Sequence, residues 1–316
     1  MSTDFTGDIE GLPLGNARVP RLCFGCGPLG GHDYGTVDIE EVKRAVREAL
    51  DIGLRFFDTA DIYGLGRSEI ELADALSGRR HEAFIATKFG VRRDSTGKIH
   101  RDNSSGWIKT ALSESLKRLK TDYVDLYQLH HWDGATPLDA IFETLSELMR
   151  SGSIRSFGVC NLPGEKLNEI FIPAGLVAFQ DEFSLAKRDC ENDIREVTDR
   201  HNLTFLSYGS LGQGILSGKY AQGATFGEDD RRSRSEYVNF HGEKLKENLA
   251  LVERLNSVAS QYPARSPAQI AVRWILDTLP KSAAIVGIKT RAQLREIVGA
   301  LGWNLSPESA GKLSIP

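Results

Sequence analysis

Four polar residues stand where short apolar runs stop: Asp58 after Phe56-Phe57, Lys88 at the end of Phe84–Lys88, His130 after Val124–Leu129, and Tyr63 in the loop that follows Asp58. Each alone has an ordinary use, as a turn cap, a solvated lysine, a core histidine or a rim tyrosine. Together they make an acid site. A phenol has an unperturbed pKa of about 10, and a buried ammonium beside it would stabilise its phenolate and make it a better proton donor near neutrality. Asp58 would keep that ammonium charged and oriented, while a neutral His130 could offer an N–H to an oxygen on which negative charge develops. Such a group suits the reduction of a carbonyl, with the hydride supplied by something else.

For the four to meet, the runs they close must lie side by side and point the same way. Eight compact apolar runs read as strands: Arg21–Gly25, Phe56–Asp58, Phe84–Lys88, Val124–Leu129, Ile154–Val159, Val177–Gln180, Thr204–Tyr208 and Ala284–Val286. Helical periodicity fills the intervals, as in Ile39, Val42, Val46 and Leu50, or Ile108, Leu112, Leu116 and Leu119. Thr36–Asp38 can cap the first helix, and Gly53 and Gly152 follow helix ends. Strands alternating with helices predict a parallel sheet, and eight units predict an α/β fold of the (β/α)8 TIM-barrel type, with a doubly wound sheet as the alternative. In a barrel the C-terminal strand ends share one mouth. Asp8–Val19 is left over as an N-terminal β-hairpin cap and Ala221–Glu243 as a polar insertion. Neither a linker nor a 20–50-residue repeat divides the chain, so residues 1–316 read as one domain.

Composition narrows the function classes. The 316 residues carry 39 Lys plus Arg against 43 Asp plus Glu, with no long basic block, which argues against a nucleic-acid partner. No window nears the run of roughly 20 apolar residues that spans a bilayer, and a secretory leader pattern is missing, so a cytoplasmic, membrane-free protein is expected. Cys23, Cys26, Cys160 and Cys190 are too few for a disulfide framework and lack paired metal spacing, so no metal is expected. Gly25-Cys-Gly-Pro-Leu-Gly30 spells a dinucleotide-binding turn, but Pro28 removes a donor and the helix pattern waits until Ile39. No complete phosphate-binding loop or serine-hydrolase elbow occurs.

The longer phrases resemble the aldo-keto reductase superfamily: Phe57-Asp-Thr-Ala-Asp-Ile-Tyr-Gly-Leu-Gly-Arg-Ser-Glu69, Ala86-Thr-Lys88, Asp125-Leu-Tyr-Gln-Leu-His130, Gly152-Ser-Ile-Arg-Ser-Phe-Gly-Val-Cys-Asn161, Gln180-Asp-Glu-Phe-Ser184, Tyr208-Gly-Ser-Leu-Gly-Gln-Gly-Ile-Leu-Ser-Gly-Lys219 and Gly287-Ile-Lys-Thr-Arg-Ala-Gln293. The likeness runs from Leu12 to about Leu305 and is greatest to the bacterial branch related to potassium-channel β subunits. It implies a barrel with NADPH extended across the mouth and a catalytic tetrad of Asp58, Tyr63, Lys88 and His130, with Tyr63 as proton donor. By the same resemblance Cys160, Asn161 and Gln180 would hold the nicotinamide carboxamide, and Tyr208 would stack on the ring. Gly209, Ser210, Leu211, Gln213 and Lys219 would follow the pyrophosphate, and Arg232 would reach over the cofactor. Gly287, Lys289, Gln293 and Glu296 would take the adenosine end, with Lys289 on the 2′-phosphate.

Two positions depart from the family pattern. Cys160 replaces a usual serine, and Ile297 replaces an asparagine that reads adenine, which leaves NADH possible beside NADPH. Tyr34, His131 and Trp132 follow strand ends and are candidates for the substrate pocket. The expected reaction reduces a small-molecule aldehyde or ketone, sugar-like, pyridoxal-like or biosynthetic. The alternatives are an NAD(P)-dependent sugar or polyol dehydrogenase and a cofactor-sensing, channel-type binding subunit. Oligomeric state is not readable.

Overall fold

Side chains of a strand alternate between two faces, so in a closed barrel every second residue points inward. In the computed structural model, which describes residues 9–94, 96–220 and 223–314, eight such strands close on themselves. In chain order the strands are β1 (Gly11–Leu14), β2 (Ala17–Pro20), β3 (Leu22–Gly25), β4 (Phe56–Asp58), β5 (Phe84–Phe89), β6 (Val91–Arg93), β7 (Ile99–Arg101), β8 (Val124–Leu129), β9 (Ile154–Cys160), β10 (Leu176–Glu182), β11 (Thr204–Tyr208) and β12 (Ser282–Gly287). The barrel order is β3-β4-β5-β8-β9-β10-β11-β12, and β12 pairs back to β3; every pairing is parallel. All eight expected strands are present, most within two residues of their expected ends.

The helices are α1 (Ile39–Asp51), α2 (Arg67–Ala75), α3 (Ser105–Leu119), α4 (Leu138–Arg150), α5 (Gly164–Glu169), α6 (Glu191–His201), α7 (Gly242–Ala259), α8 (Pro267–Thr278), α9 (Arg291–Val298) and α10 (Pro307–Ser314). Their ends follow local chemistry. The Asp38 side chain accepts from Glu41 N at 3.1 Å to start α1, and Gly53 lies just past its end at φ +83°. Ser266 and Gln269 form a reciprocal capping box on α8, with Pro267 in its first turn.

Two apolar layers result. Leu12, Leu14 and Val19 of the β1–β2 hairpin join Cys23, Phe56, Ala86, Leu126, Ala178, Leu206, Ala283 and Ile285 in the barrel interior, so the hairpin plugs the end opposite the mouth. The larger cluster, including Val42, Val46, Tyr127, Leu145, Phe205 and Trp274, packs helices onto the strands' outer faces. Cys23 belongs to the inner cluster and Cys26 to the outer one, so the two thiols of the Cys-x-x-Cys phrase pack in separate cores. Among the described residues no group of metal-ligating side chains occurs, and no helix is long and apolar enough to cross a membrane.

Three details differ from expectation. The hairpin is shorter than drawn, and Asp8 lies outside the described residues, as do Ala221 and Gln222 of the expected insertion. Within that insertion a short helical turn, Arg231–Ser233, lies against the mouth. The antiparallel pair β6–β7 was not foreseen, because three-residue strands around Asp94–Lys98 carry too little periodicity to register.

Candidate active site

The inward alternation that fills the barrel with Phe56, Ala86, Leu126, Ala178 and Leu206 turns polar at its next step. Two residues further along the same strands come Asp58, Lys88, Gln128, Gln180 and Tyr208. These side chains share a layer at the mouth because their strands are in register: Asp58 opposite Ala86, Lys88 opposite Gln128, and Gln180 opposite Cys160.

Lys88 Nζ donates to Asp58 Oδ1 at 2.5 Å, to Thr59 O at 2.8 Å and to the Tyr63 hydroxyl at 3.5 Å. The other Asp58 oxygen accepts from Gln180 Nε2 at 3.0 Å and Gln128 Nε2 at 3.3 Å. Asp58 and Lys88 are 3% and 1% exposed, so each charge depends on the other rather than on water. His130 packs edge-on to Tyr63, with ring centroids 5.9 Å apart, and stacks on His131 at 4.9 Å. Backbone contacts fix the loop carrying Tyr63: Gly64 sits at φ +59°, and a Cβ on Gly30 would come within 2.9 Å of Gly64 N. Gly25, Gly27 and Gly30 thus permit close approach of backbone and of Tyr34, and the glycine phrase enters a short 3-10 turn, Gly27–Gly30, rather than a dinucleotide-binding helix.

Electrostatics set the protonation states. Burial pushes the Tyr63 phenol above its usual value, with the Lys88 charge pulling the other way. Burial would depress Lys88, but Asp58 and Tyr63 hold it charged and raised. His130 is driven well below the ordinary histidine value by burial and by Lys88, so it is neutral at pH 7. Its Nδ1 is buried without a partner among the described residues, which leaves Nε2 to face the cavity.

A cavity of about 590 Å³ runs from Tyr63 and His130, past Asn161, Gln180 and Tyr208, to Gln293, Glu296 and Ile297. Tyr34, His131, Gly209, Ser210, Leu211, Gln213, Lys219, Arg232, Gly287 and Lys289 also line it. Asn161, at φ +54°, donates through Nδ2 to His130 O at 2.9 Å and accepts from the Tyr208 hydroxyl at 2.8 Å. Gln180 uses its amide N–H groups on Asp58 and Gln128, and its Oε1 accepts nothing from the described residues. Gln213 donates to Glu182 at 3.0 Å and accepts from Asn239, so the described residues already use both ends of its amide.

Two expected residues are not brought to the cavity. The Cys160 thiol, opposite Gln180 in register, is buried against Gln128, 3.8 Å from its Oε1, and does not line the cavity. Trp132 turns away and donates its indole N–H to Thr136 O at 2.8 Å, which corrects its assignment to the pocket.

The rim is held by side chains from loops. Arg232 pairs with Asp230 at 2.5 Å, donates to the Tyr220 hydroxyl and lies 4.4 Å over the Phe226 ring. Lys289 donates to Tyr34 O, and its own backbone N–H donates to Gln293 Oε1 at 2.8 Å. Arg291 turns out to Glu41 of α1. Ile297 lines the cavity beside Gln293 and Glu296, at a place where an asparagine would have offered hydrogen bonds.

Sequence reasoning missed Gln128, Arg231 and Asp61. Gln128 was findable, since it lies two residues after inward Leu126 and two before His130. Arg231 comes from a segment with no strand or helix period. Asp61 is pushed up to about 8, chiefly by burial, with nearby Glu69 adding to the shift, and its Oδ1 is buried without a partner among the described residues. Neither was separable from an ordinary loop by sequence.

Comparison with known proteins returns the same barrel architecture. The sequence profile of the Aldo/keto reductase family matches residues 21–314, and the chain belongs to that family. Among its relatives are the aldo-keto reductase YhdN of Bacillus subtilis, 33% identical over 92% of this chain and 88% of the relative, and the aldo-keto reductase yakc [NADP(+)] of Schizosaccharomyces pombe, 33% identical over 93% and 87%. The solved structure of the glycerol dehydrogenase AKR11B4 from Gluconobacter oxydans superposes with a TM-score of 0.86 at 31% identity, covering 96% of this chain and 94% of that one.

Proposed function

We propose that the protein is an NADPH-dependent oxidoreductase that reduces the carbonyl of a small aldehyde or ketone to an alcohol, with Tyr63 as the proton donor. The observation that carries this reading is the Lys88–Asp58–Tyr63 set at one end of a groove whose far end carries Lys219, Arg232 and Lys289. The groove fits the cofactor chemically. The free Gln180 Oε1 suits a carboxamide N–H2, the Tyr208 ring suits a nicotinamide face, and the three cations suit phosphates. The NADP(+) in the name of the Schizosaccharomyces pombe relative agrees with that set.

NADPH, when bound, supplies the hydride. Tyr63 then donates its proton to the carbonyl oxygen as that oxygen gains charge. Lys88 lowers the cost of the phenolate left behind, because an ammonium 3.5 Å from the phenol oxygen stabilises the anion more than the neutral form. Asp58, fixed by Gln128 and Gln180, keeps Lys88 aimed at Tyr63 rather than at another acceptor. Neutral His130 offers Nε2–H to the same oxygen and orients the carbonyl without competing for its proton. The buried floor excludes water from the acid pair.

The likeness to a glycerol dehydrogenase favours a second reading, oxidation of a polyol by the same residues in reverse. In that direction Tyr63 must start as phenolate, so the rate rises with pH, because burial holds the phenol protonated through the neutral range. The test is NADPH consumption against a panel of aldehydes and ketones at pH 7, with NADP and polyols at pH 9 in parallel. Consumption with carbonyls supports the reductase. Turnover of polyols alone moves the assignment to a dehydrogenase, and no turnover of either overturns both.

A further inference from the structure

Arg231 is the one arginine on the cavity wall that the described residues leave without a carboxylate partner. Its neighbour Arg232 is ion-paired with Asp230, and Arg234 with Asp33. Arg231 instead lies 4.4 Å over the Tyr34 ring and 5.4 Å from the Tyr237 ring centroid, hydrogen-bonds Tyr237, and has other N–H donors of its fork without a partner among the described residues. Its backbone is fixed as well. Arg231 N donates to Asp33 O at 3.2 Å, and Tyr34 pairs with Asp230 in an antiparallel bridge, so the segment is clasped to the loop after β3. Tyr34 in turn sits on Gly27, where the missing Cβ lets its hydroxyl approach the strand end. Arg231, Tyr34, Tyr63 and His130 all line the one cavity.

A mostly buried cation is costly unless a counter-charge satisfies it. The other charges that face it do not do so. Asp33 and Asp230 are already paired, and Glu182 accepts from Gln213 while burial raises its carboxyl above the usual range. The tyrosine faces attract the guanidinium but accept few of its five N–H donors.

We propose that Arg231 determines substrate choice by binding a carboxylate carried by the aldehyde or ketone, so that the preferred substrates are oxo-acids and formyl-acids. A carboxylate matches the planar donor fork with two parallel hydrogen bonds. One uncompensated cation also matches one negative charge, whereas a phosphate dianion would bring excess charge beside Asp33, Asp230 and Glu182. This inference rests on the reductase reading and names its substrate class.

The experiment uses the whole protein, saturating NADPH, and 3- and 4-formylbenzoate against their methyl esters, which differ from the acids in charge far more than in shape. The wild type should prefer the better acid over its ester by tenfold or more in kcat/KM, mainly through KM. In Arg231→Leu that preference should fall at least tenfold, with Arg231→Gln behaving alike and Arg231→Lys recovering part of it. The Kd for NADPH, read from tryptophan fluorescence, should stay within threefold. Equal wild-type efficiency on acid and ester overturns the proposal without touching the reductase reading. So does a parallel loss on both in the variants, or a weakened NADPH Kd with an intact acid preference, which would assign Arg231 to the cofactor. No turnover of acids or esters, together with none on the carbonyl panel, overturns the reductase reading and this proposal with it.

Discussion

The floor of the site and its rim are built in opposite ways. On the floor, Asp58, Lys88, Gln128 and Gln180 come from barrel strands β4, β5, β8 and β10, with β9 between the last two, and their bonds are fixed by register. On the rim, Tyr34, Asp230, Arg231, Arg232 and Lys289 come from loops and are fixed by ion pairs, a backbone bridge and cation–aromatic stacking. The floor cannot change without disturbing the barrel, whereas the rim can. Chemistry therefore belongs to the floor, where geometry must not drift, and selectivity belongs to the rim.

Removing a floor charge should have the largest effect. Lys88→Met leaves Asp58 buried without its ammonium, and is expected to lower stability by about 3–5 kcal/mol and turnover by roughly 10²–10⁴. Chemical denaturation and NADPH consumption measure the two, and a variant as stable and active as wild type would erase the distinction between floor and rim. Gln128→Leu comes next. It removes one of two side-chain amide donors to Asp58 Oδ2, so a loss of about 1–3 kcal/mol and roughly tenfold in kcat is expected, with KM changed less. An effect confined to stability would reduce Gln128 to packing.

Asp61 sharpens the comparison from a third side, as a carboxyl with one oxygen buried in the floor's own loop without a partner among the described residues. Its pKa is pushed up to about 8, so between the ordinary carboxylate range and pH 8 the folded state holds a proton that the unfolded state releases. Stability contributed by this group therefore falls as pH rises through that window. Asp61→Asn cannot ionise, and its Tm should gain on wild type between pH 5 and pH 8.5. A gap that stays constant with pH would show that Asp61 is ionised in the fold throughout. The rim should respond least. Arg232→Ala is expected to cost about 1 kcal/mol of stability and roughly tenfold in the NADPH Kd, both weakening with added salt. A loss of stability as large as that of Lys88→Met would contradict the division.

The same contrast explains what was legible from the residues alone. All eight barrel strands were visible because inward and outward alternation, apolar runs and glycine stops agree along them. Asp58, Lys88 and His130 were visible as polar residues closing those runs, and Tyr63 through its phrase. Gln128 and Gln180 obey the same period and both lie in recognisable phrases, yet only the second was given a role, and its amide was expected to face the cofactor rather than also bond Asp58. The rim was poorly legible. Arg232 was expected to reach over the cofactor, while its bonds to Asp230 and Tyr220 depend on a loop whose path no local period encodes. Trp132 was placed by adjacency to a strand end, and the backbone turn after His130 sends its ring to Thr136 instead.

Proton donation by Tyr63 is tested most directly by comparing wild type with Tyr63→Phe in two assays on the same preparations. NADPH binding, followed by tryptophan fluorescence, should be unchanged within about threefold, since the phenyl ring keeps its packing against His130. Carbonyl-dependent NADPH consumption should fall by roughly 10²–10⁴, the range expected for loss of a general acid. A variant that binds NADPH and still reduces carbonyls at the wild-type rate would contradict the assignment of Tyr63 as proton donor.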